Sequence, residues 1–146
     1  MDGASAPSEE QIHVVQTMWR ATLTVGDTFA ELFYGKLFSL DPGLRPLFRS
    51  SMKEQGRSLT AMLSVAVGGL AHPERITLAL RQLGRRHAAY GVQPVHYETV
   101  RAALVWALEK CFGEAFTPQA RAAWLAAYEF FAATMQDAAK KSSVTA

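Results

Sequence analysis

Apolar side chains recur along this chain at steps of three and four, interrupted by proline and glycine, and no stretch sustains the apolar/polar alternation of a half-buried strand. The pattern predicts an all-α protein. Ser8-Glu9-Glu10-Gln11 has the spacing of a capping box, opening a helix to about Leu23 that buries Ile12, Val15, Met18, Trp19 and Leu23. Phe29, Leu32, Phe33, Leu37 and Phe38 mark a second helix over about 27–40, stopped by Asp41-Pro42-Gly43. Leu44 to Phe48 is short and proline-interrupted, which suits one tight helical turn. A second box, Ser51-Met52-Lys53-Glu54, opens a helix with an inner face of Leu59, Met62, Leu63, Ala66 and Val67, ending at Gly68-Gly69. Pro73 and Pro94 each suit a first helical turn; their helices run to Tyr90, ahead of Gly91, and to Gly113. Thr117-Pro118 caps a last helix past Trp124, Tyr128 and Phe131 to about Lys140.

The pattern divides the chain into a flexible N-terminus over 1–7, one domain of six to seven helices over 8–140 and a disordered tail over 141–146. Its 146 residues, 49% of them hydrophobic, suffice for a core without disulfides or a structural metal. Fifteen Lys+Arg against 13 Asp+Glu leave a net charge of +2 with no basic block, so nucleic acid is not an expected partner. The one cysteine, Cys111, forms no internal bridge and suits a reducing compartment. Met1 to Glu10 is polar, and no 18-residue apolar run follows. A cytoplasmic protein with no membrane association is expected.

Phosphate-binding glycine motifs, a nucleophile elbow and His-Glu-x-x-His are all absent, which argues against nucleotide-dependent, triad and zinc-protease chemistry. Of the four histidines, His13 falls among solvent-facing positions and His72 precedes a helix-starting proline, so both read as structural. His87 ends a helix on the face of Leu80 and Leu83, beside Arg85 and Arg86. Two readings fit it: a cation favoured at a helix C-terminus, or an axial imidazole for a flat apolar cofactor held between helices. His96 and Tyr97 after the turn, with Tyr34, Phe48 and Gln55 earlier in an aliphatic, Met-rich chain, are the company that raises the second reading.

The run Leu83-Gly84-Arg85-Arg86-His87-Ala88-Ala89-Tyr90-Gly91-Val92-Gln93-Pro94-Val95-His96-Tyr97 resembles the proximal segment of bacterial single-domain haemoglobins and of flavohaemoglobin haem domains. Leu32-Phe33-Tyr34-Gly35-Lys36-Leu37-Phe38, Arg45-Pro46-Leu47-Phe48, Phe116-Thr117-Pro118 and Ala123-Trp124-Leu125-Ala126-Ala127-Tyr128 are similar to other parts of that family, in its order. The resemblance covers about residues 8–137 and implies a globin fold around a haem pocket, holding haem b (iron protoporphyrin IX) without covalent attachment, since Cys-x-x-Cys-His is absent.

By that resemblance His87 would be the proximal iron ligand, leaving a five-coordinate iron open to oxygen and other diatomic gases. Phe48, Leu59, Leu83, Val92, Tyr97, Val100 and Leu104 would contact the cofactor, and Tyr34 and Gln55 would be distal donors to bound oxygen, which carries superoxide-like charge. Flavohaemoglobins buttress the proximal histidine with a tyrosine and a glutamate. Tyr97 matches the tyrosine, but Ala139 stands at the glutamate position, with Asp137 out of phase. The flavin reductase portion has no counterpart in 146 residues. Reversible oxygen binding for storage or transport is therefore expected. The alternatives are nitric oxide dioxygenation dependent on a separate reductase, and gas sensing.

Overall fold

Ser8 closes its box as the spacing predicts: its Oγ accepts from the Gln11 amide at 3.1 Å, and the Ser8 amide donates to Gln11 Oε1 at 3.0 Å. In the computed structural model, which describes the backbone of residues 6–145 and the side chains of 6–140, this box starts α1 (Glu9–Leu23). There follow α2 (Gly26–Leu40), a 3-10 segment (Pro42–Leu47), α3 (Met52–Gly68), α4 (Pro73–Ala89), α5 (Pro94–Phe112), a 3-10 turn (Gly113–Ala115) and α6 (Pro118–Thr145). Ser51 caps α3 through the Glu54 amide at 3.2 Å, and Thr117 caps α6 through the Ala120 amide at 3.1 Å. No strand occurs among the described residues.

Two departures from the pattern have plain causes. Leu23 is 45% exposed and Thr22 is buried in its place, continuing the Val15–Trp19 stripe, because the Thr22 hydroxyl donates to the Met18 carbonyl at 2.8 Å. With its polar atom satisfied inside its own helix, threonine packs as a small apolar group. α6 continues to Thr145, five residues beyond Lys140, since no proline or glycine follows Pro118 to end it. The side chains of the expected tail, 141–146, and residues 1–5 of the expected flexible N-terminus lie outside the described residues.

The main packing pairs are α4 on α6 and α2 on α5, with α1 laid against α6 and α3 against α2. Trp19 joins them: its ring stands edge-on to Phe29 at 5.5 Å and Trp124 at 6.3 Å, and its Nε1 donates to Ser64 Oγ at 3.0 Å. Gly84 sets the α4–α6 approach. A Cβ there would lie 2.2 Å from the Met135 carbonyl oxygen, so only glycine allows the two backbones to come this close. The end of α4 is thereby fixed against the middle of α6.

Candidate functional site

Between these pairs lies a partly open cavity of about 100 Å³, lined almost entirely by apolar groups from five α-helices, α2 to α6, and the α4–α5 turn. His87 is on its wall, where the last turn of α4 ends. The imidazole Nδ1 lies 2.9 Å from the Leu83 carbonyl oxygen, an acceptor only, so Nδ1 carries the proton and Nε2 keeps its lone pair. Burial pushes the His87 pKa below the ordinary histidine value, opposed by the Leu83 bond and assisted by the Arg86 cation. A neutral imidazole with a free Nε2 suits iron. No group of three or more His, Cys, Asp or Glu among the described residues could hold a bare metal ion. An iron bound here must bring its other ligands with it, as a porphyrin does.

Leu59, Val92, Tyr97, Val100 and Leu104 line the cavity with His87. Leu83 does not: it contributes its carbonyl to the His87 ring rather than its side chain to the wall. Phe48 also lies off the wall, its ring edge-on to Tyr34 and Phe38 at 5.4 Å each. Tyr34 is 8% exposed and faces a separate surface groove with Arg45 and Lys53. Its neighbour Phe33 faces the cavity instead. The Tyr34 hydroxyl donates to the backbone carbonyl of Gln55 at 3.3 Å, and burial pushes its pKa up to about 12. The half-buried Gln55 amide has no protein partner among the described residues.

The remaining wall comes largely from α6. Tyr128, Phe131, Ala132 and Met135 occupy one helical face of it and reach the cavity because Gly84 brings α4 close. Their spacing of three, one and three was legible in the sequence; the partner they would face was not. Tyr128 donates its hydroxyl to the Tyr97 carbonyl at 2.6 Å, binding α6 to the start of α5. Ala139, Gln136 and Lys140 border a neighbouring groove that Tyr97 also lines, so no carboxylate of this chain occupies position 139 beside that tyrosine. His96 shares the cavity wall with His87, and its Nδ1 accepts from the Gln93 amide at 2.9 Å, at the head of α5. His13 is exposed, and His72 lies at the start of α4, with Nδ1 3.8 Å from Glu74 Oε1.

The globin family profile matches residues 31–135. Over 133 residues the chain is 26% identical to a flavohaemoprotein of Vibrio cholerae, covering 89% of this chain and 34% of that protein. A flavohaemoprotein of Xylella fastidiosa is 29% identical over 115 residues, 77% of this chain and 29% of its own. The chain thus spans about a third of the length of these relatives. Among solved structures, an engineered carbene transferase drawn from a Rhodothermus marinus protein assigned as a nitric oxide dioxygenase superposes with a TM-score of 0.84. It is 25% identical and covers 95% of this chain and 97% of that one. The flavohaemoglobin of Malassezia yamatoensis, with FAD and haem bound, gives 0.79 at 26% identity, covering 96% of this chain and 38% of its own.

Proposed function

The chain belongs to the globin family, which implies a haem, and from that premise we propose that it is a cytoplasmic oxygen-binding protein holding haem b non-covalently. The observation that carries this reading is His87, a neutral imidazole with its Nδ1 proton committed to Leu83 and its Nε2 free, on the wall of an apolar cavity. A haem held there by His87 would supply an iron able to bind a diatomic gas.

This chain's residues would do the rest. Leu59, Val92, Val100 and Leu104 would keep water away from a haem held in the cavity, which would strengthen any hydrogen bond made inside. Tyr34, which faces the neighbouring groove, and Gln55 would have to turn toward the cavity to donate to a gas ligand that gathers negative charge; Phe48, Leu83 and Tyr97 hold the surrounding frame. To reach a ligand the Tyr34 hydroxyl must leave the Gln55 carbonyl. At 3.3 Å that bond is long for O–H···O, so the exchange costs little. A phenol raised to about 12 remains a donor throughout the physiological range.

The test is the visible spectrum of purified protein and of His87→Gly. Wild type should give a five-coordinate ferrous haem. The variant should lose the haem unless imidazole is added to fill the space of the missing ring. Unchanged haem retention and spectrum in His87→Gly would refute the assignment. A second reading, nitric oxide dioxygenation with a separate reductase, is supported by the Rhodothermus marinus neighbour. Multiple-turnover nitric oxide consumption with an added reductase separates it from reversible binding.

A further inference from the structure

The helix that carries His87 in its last turn bears the chain's charge asymmetry on its opposite face. α4 has four arginines and one glutamate, net +3, whereas the whole chain is +2, so all the rest sums to −1. Its solvent side is a single stripe, Arg75, Leu78, Gln82, Arg85 and Ala89, with Arg81 and Arg86 flanking it; every one of these is exposed. Two arginines of other helices are matched by acids: Arg101 lies 2.7 Å from Glu129, and Arg121 lies 2.7 Å from Glu109. The α4 arginines make no ion pair among the described residues, and the helix's one acid, Glu74, sits beside His72. A solvated surface helix ordinarily interleaves both signs at i, i+4. Here one sign is left uncompensated around an apolar centre, Leu78, which is 64% exposed, and the stripe ends at Tyr90, 69% exposed. Arginines ringing an apolar side chain, with a tyrosine at the margin, is the composition of a protein docking surface.

We propose that this face of α4 is the docking surface for an acidic electron-donor protein carrying a reduced flavin. The proposal rests on the haem reading above. The donor's flavin hydroquinone would give one electron to ferric iron, becoming the semiquinone as the iron becomes ferrous, and it would approach on the helix that presents the axial imidazole. Guanidinium groups pair in bidentate fashion with carboxylates, which favours a protein bearing Asp and Glu. One exposed leucine on the stripe is a poor match for a lipid surface, which calls for a broad apolar face.

The experiment uses haem-loaded ferric protein and an acidic flavodoxin reduced beforehand, mixed anaerobically while the Soret band is followed. The wild-type second-order rate should fall at least about tenfold as salt rises from about 20 mM to about 500 mM. Arg75→Glu/Arg81→Glu/Arg85→Glu should be at least about tenfold slower at low salt and lose the salt dependence. Arg20→Glu/Arg57→Glu/Arg121→Glu, with the same net charge on other helices, should lie much nearer wild type. The corresponding Gln triple on α4 should show the same loss in milder form and serves if the Glu triple does not fold. Reduced methyl viologen should reduce both triples equally, which separates docking from a change in the haem itself. Flavodoxin binding, measured by calorimetry with and without haem, should follow the same order. That arm distinguishes loss of the docking face from loss of the haem reading. Equal effects of the two Glu triples, or salt-insensitive rates, would overturn the proposal. So would an α4 triple that abolishes binding to phosphatidylglycerol vesicles while leaving flavodoxin binding intact, which would assign the face to a membrane.

Discussion

Replacing Tyr34 with Phe removes one oxygen atom and little else. The ring keeps its edge contacts with Phe33 at 5.0 Å and Phe48 at 5.4 Å and its stacking on Phe38 at 5.9 Å, so stability should change by less than about 1 kcal/mol. Ligand kinetics should change much more. A hydrogen bond to a charged acceptor contributes about 1.5–3 kcal/mol, and to make it the hydroxyl gives up a long bond to the Gln55 carbonyl at 3.3 Å, a loss of roughly 0.5 kcal/mol. The net is about 1–2.5 kcal/mol, so oxygen should leave Tyr34→Phe about five- to seventyfold faster. Carbon monoxide gathers little charge, and its dissociation should change by no more than about twofold. Stopped-flow dissociation of both gases from wild type and variant is the assay. Equal acceleration of the two gases would point to a steric change, and an unchanged oxygen rate would make Tyr34 a core residue only; either result refutes the reasoning.

Gly84→Ala should destabilise the protein by about 1–3 kcal/mol in urea unfolding and speed haem loss, despite the better helix propensity of alanine, because its Cβ meets the Met135 carbonyl. The Tyr34 pKa is raised from 10.0 to about 12, so its contribution to stability is complete below pH 10 and is lost as pH rises from 10 to 12. Urea titrations across that range should show wild type losing up to about 2–3 kcal/mol relative to Tyr34→Phe, whereas a constant difference contradicts the burial of the hydroxyl. His96→Ala should leave the five-coordinate ferrous spectrum intact while costing about 0.5–2 kcal/mol for the lost bond at the head of α5. A bis-histidyl spectrum that this substitution abolishes would show His96 to be an iron ligand.

The elements were legible wherever a residue's local chemistry is decisive. Ser8, Pro73, Pro94 and Thr117 start helices by satisfying or lacking specific first-turn amides, and Gly91, at φ 100°, ends the turn after α4 because other residues rarely adopt that backbone. His87 was legible as a candidate from its place at a helix end and from the resemblance of its neighbours. What sequence could not supply were contacts made by backbone atoms and by packing across helices. The Tyr34 hydroxyl meets the carbonyl of Gln55, a group every residue owns, so no side-chain pattern announces it. Leu83 likewise acts through its carbonyl. The α6 wall depends on how closely Gly84 lets two backbones approach, which is a distance and not a periodicity.

His87 is also the hinge of its own neighbourhood. Its carbonyl collects the amides of Tyr90 at 3.1 Å and Val92 at 3.0 Å while its ring is anchored four residues back on Leu83. All these partners lie within five residues along the chain, whereas Tyr34 reaches Gln55 across 21. Short-range bonds close with little entropy loss and form early in folding; long-range ones wait for the helices to meet. The bonds that hold the imidazole and its turn in place can therefore form as soon as α4 and its turn exist. The bond between Tyr34 and Gln55 closes afterwards, once α2 and α3 have met.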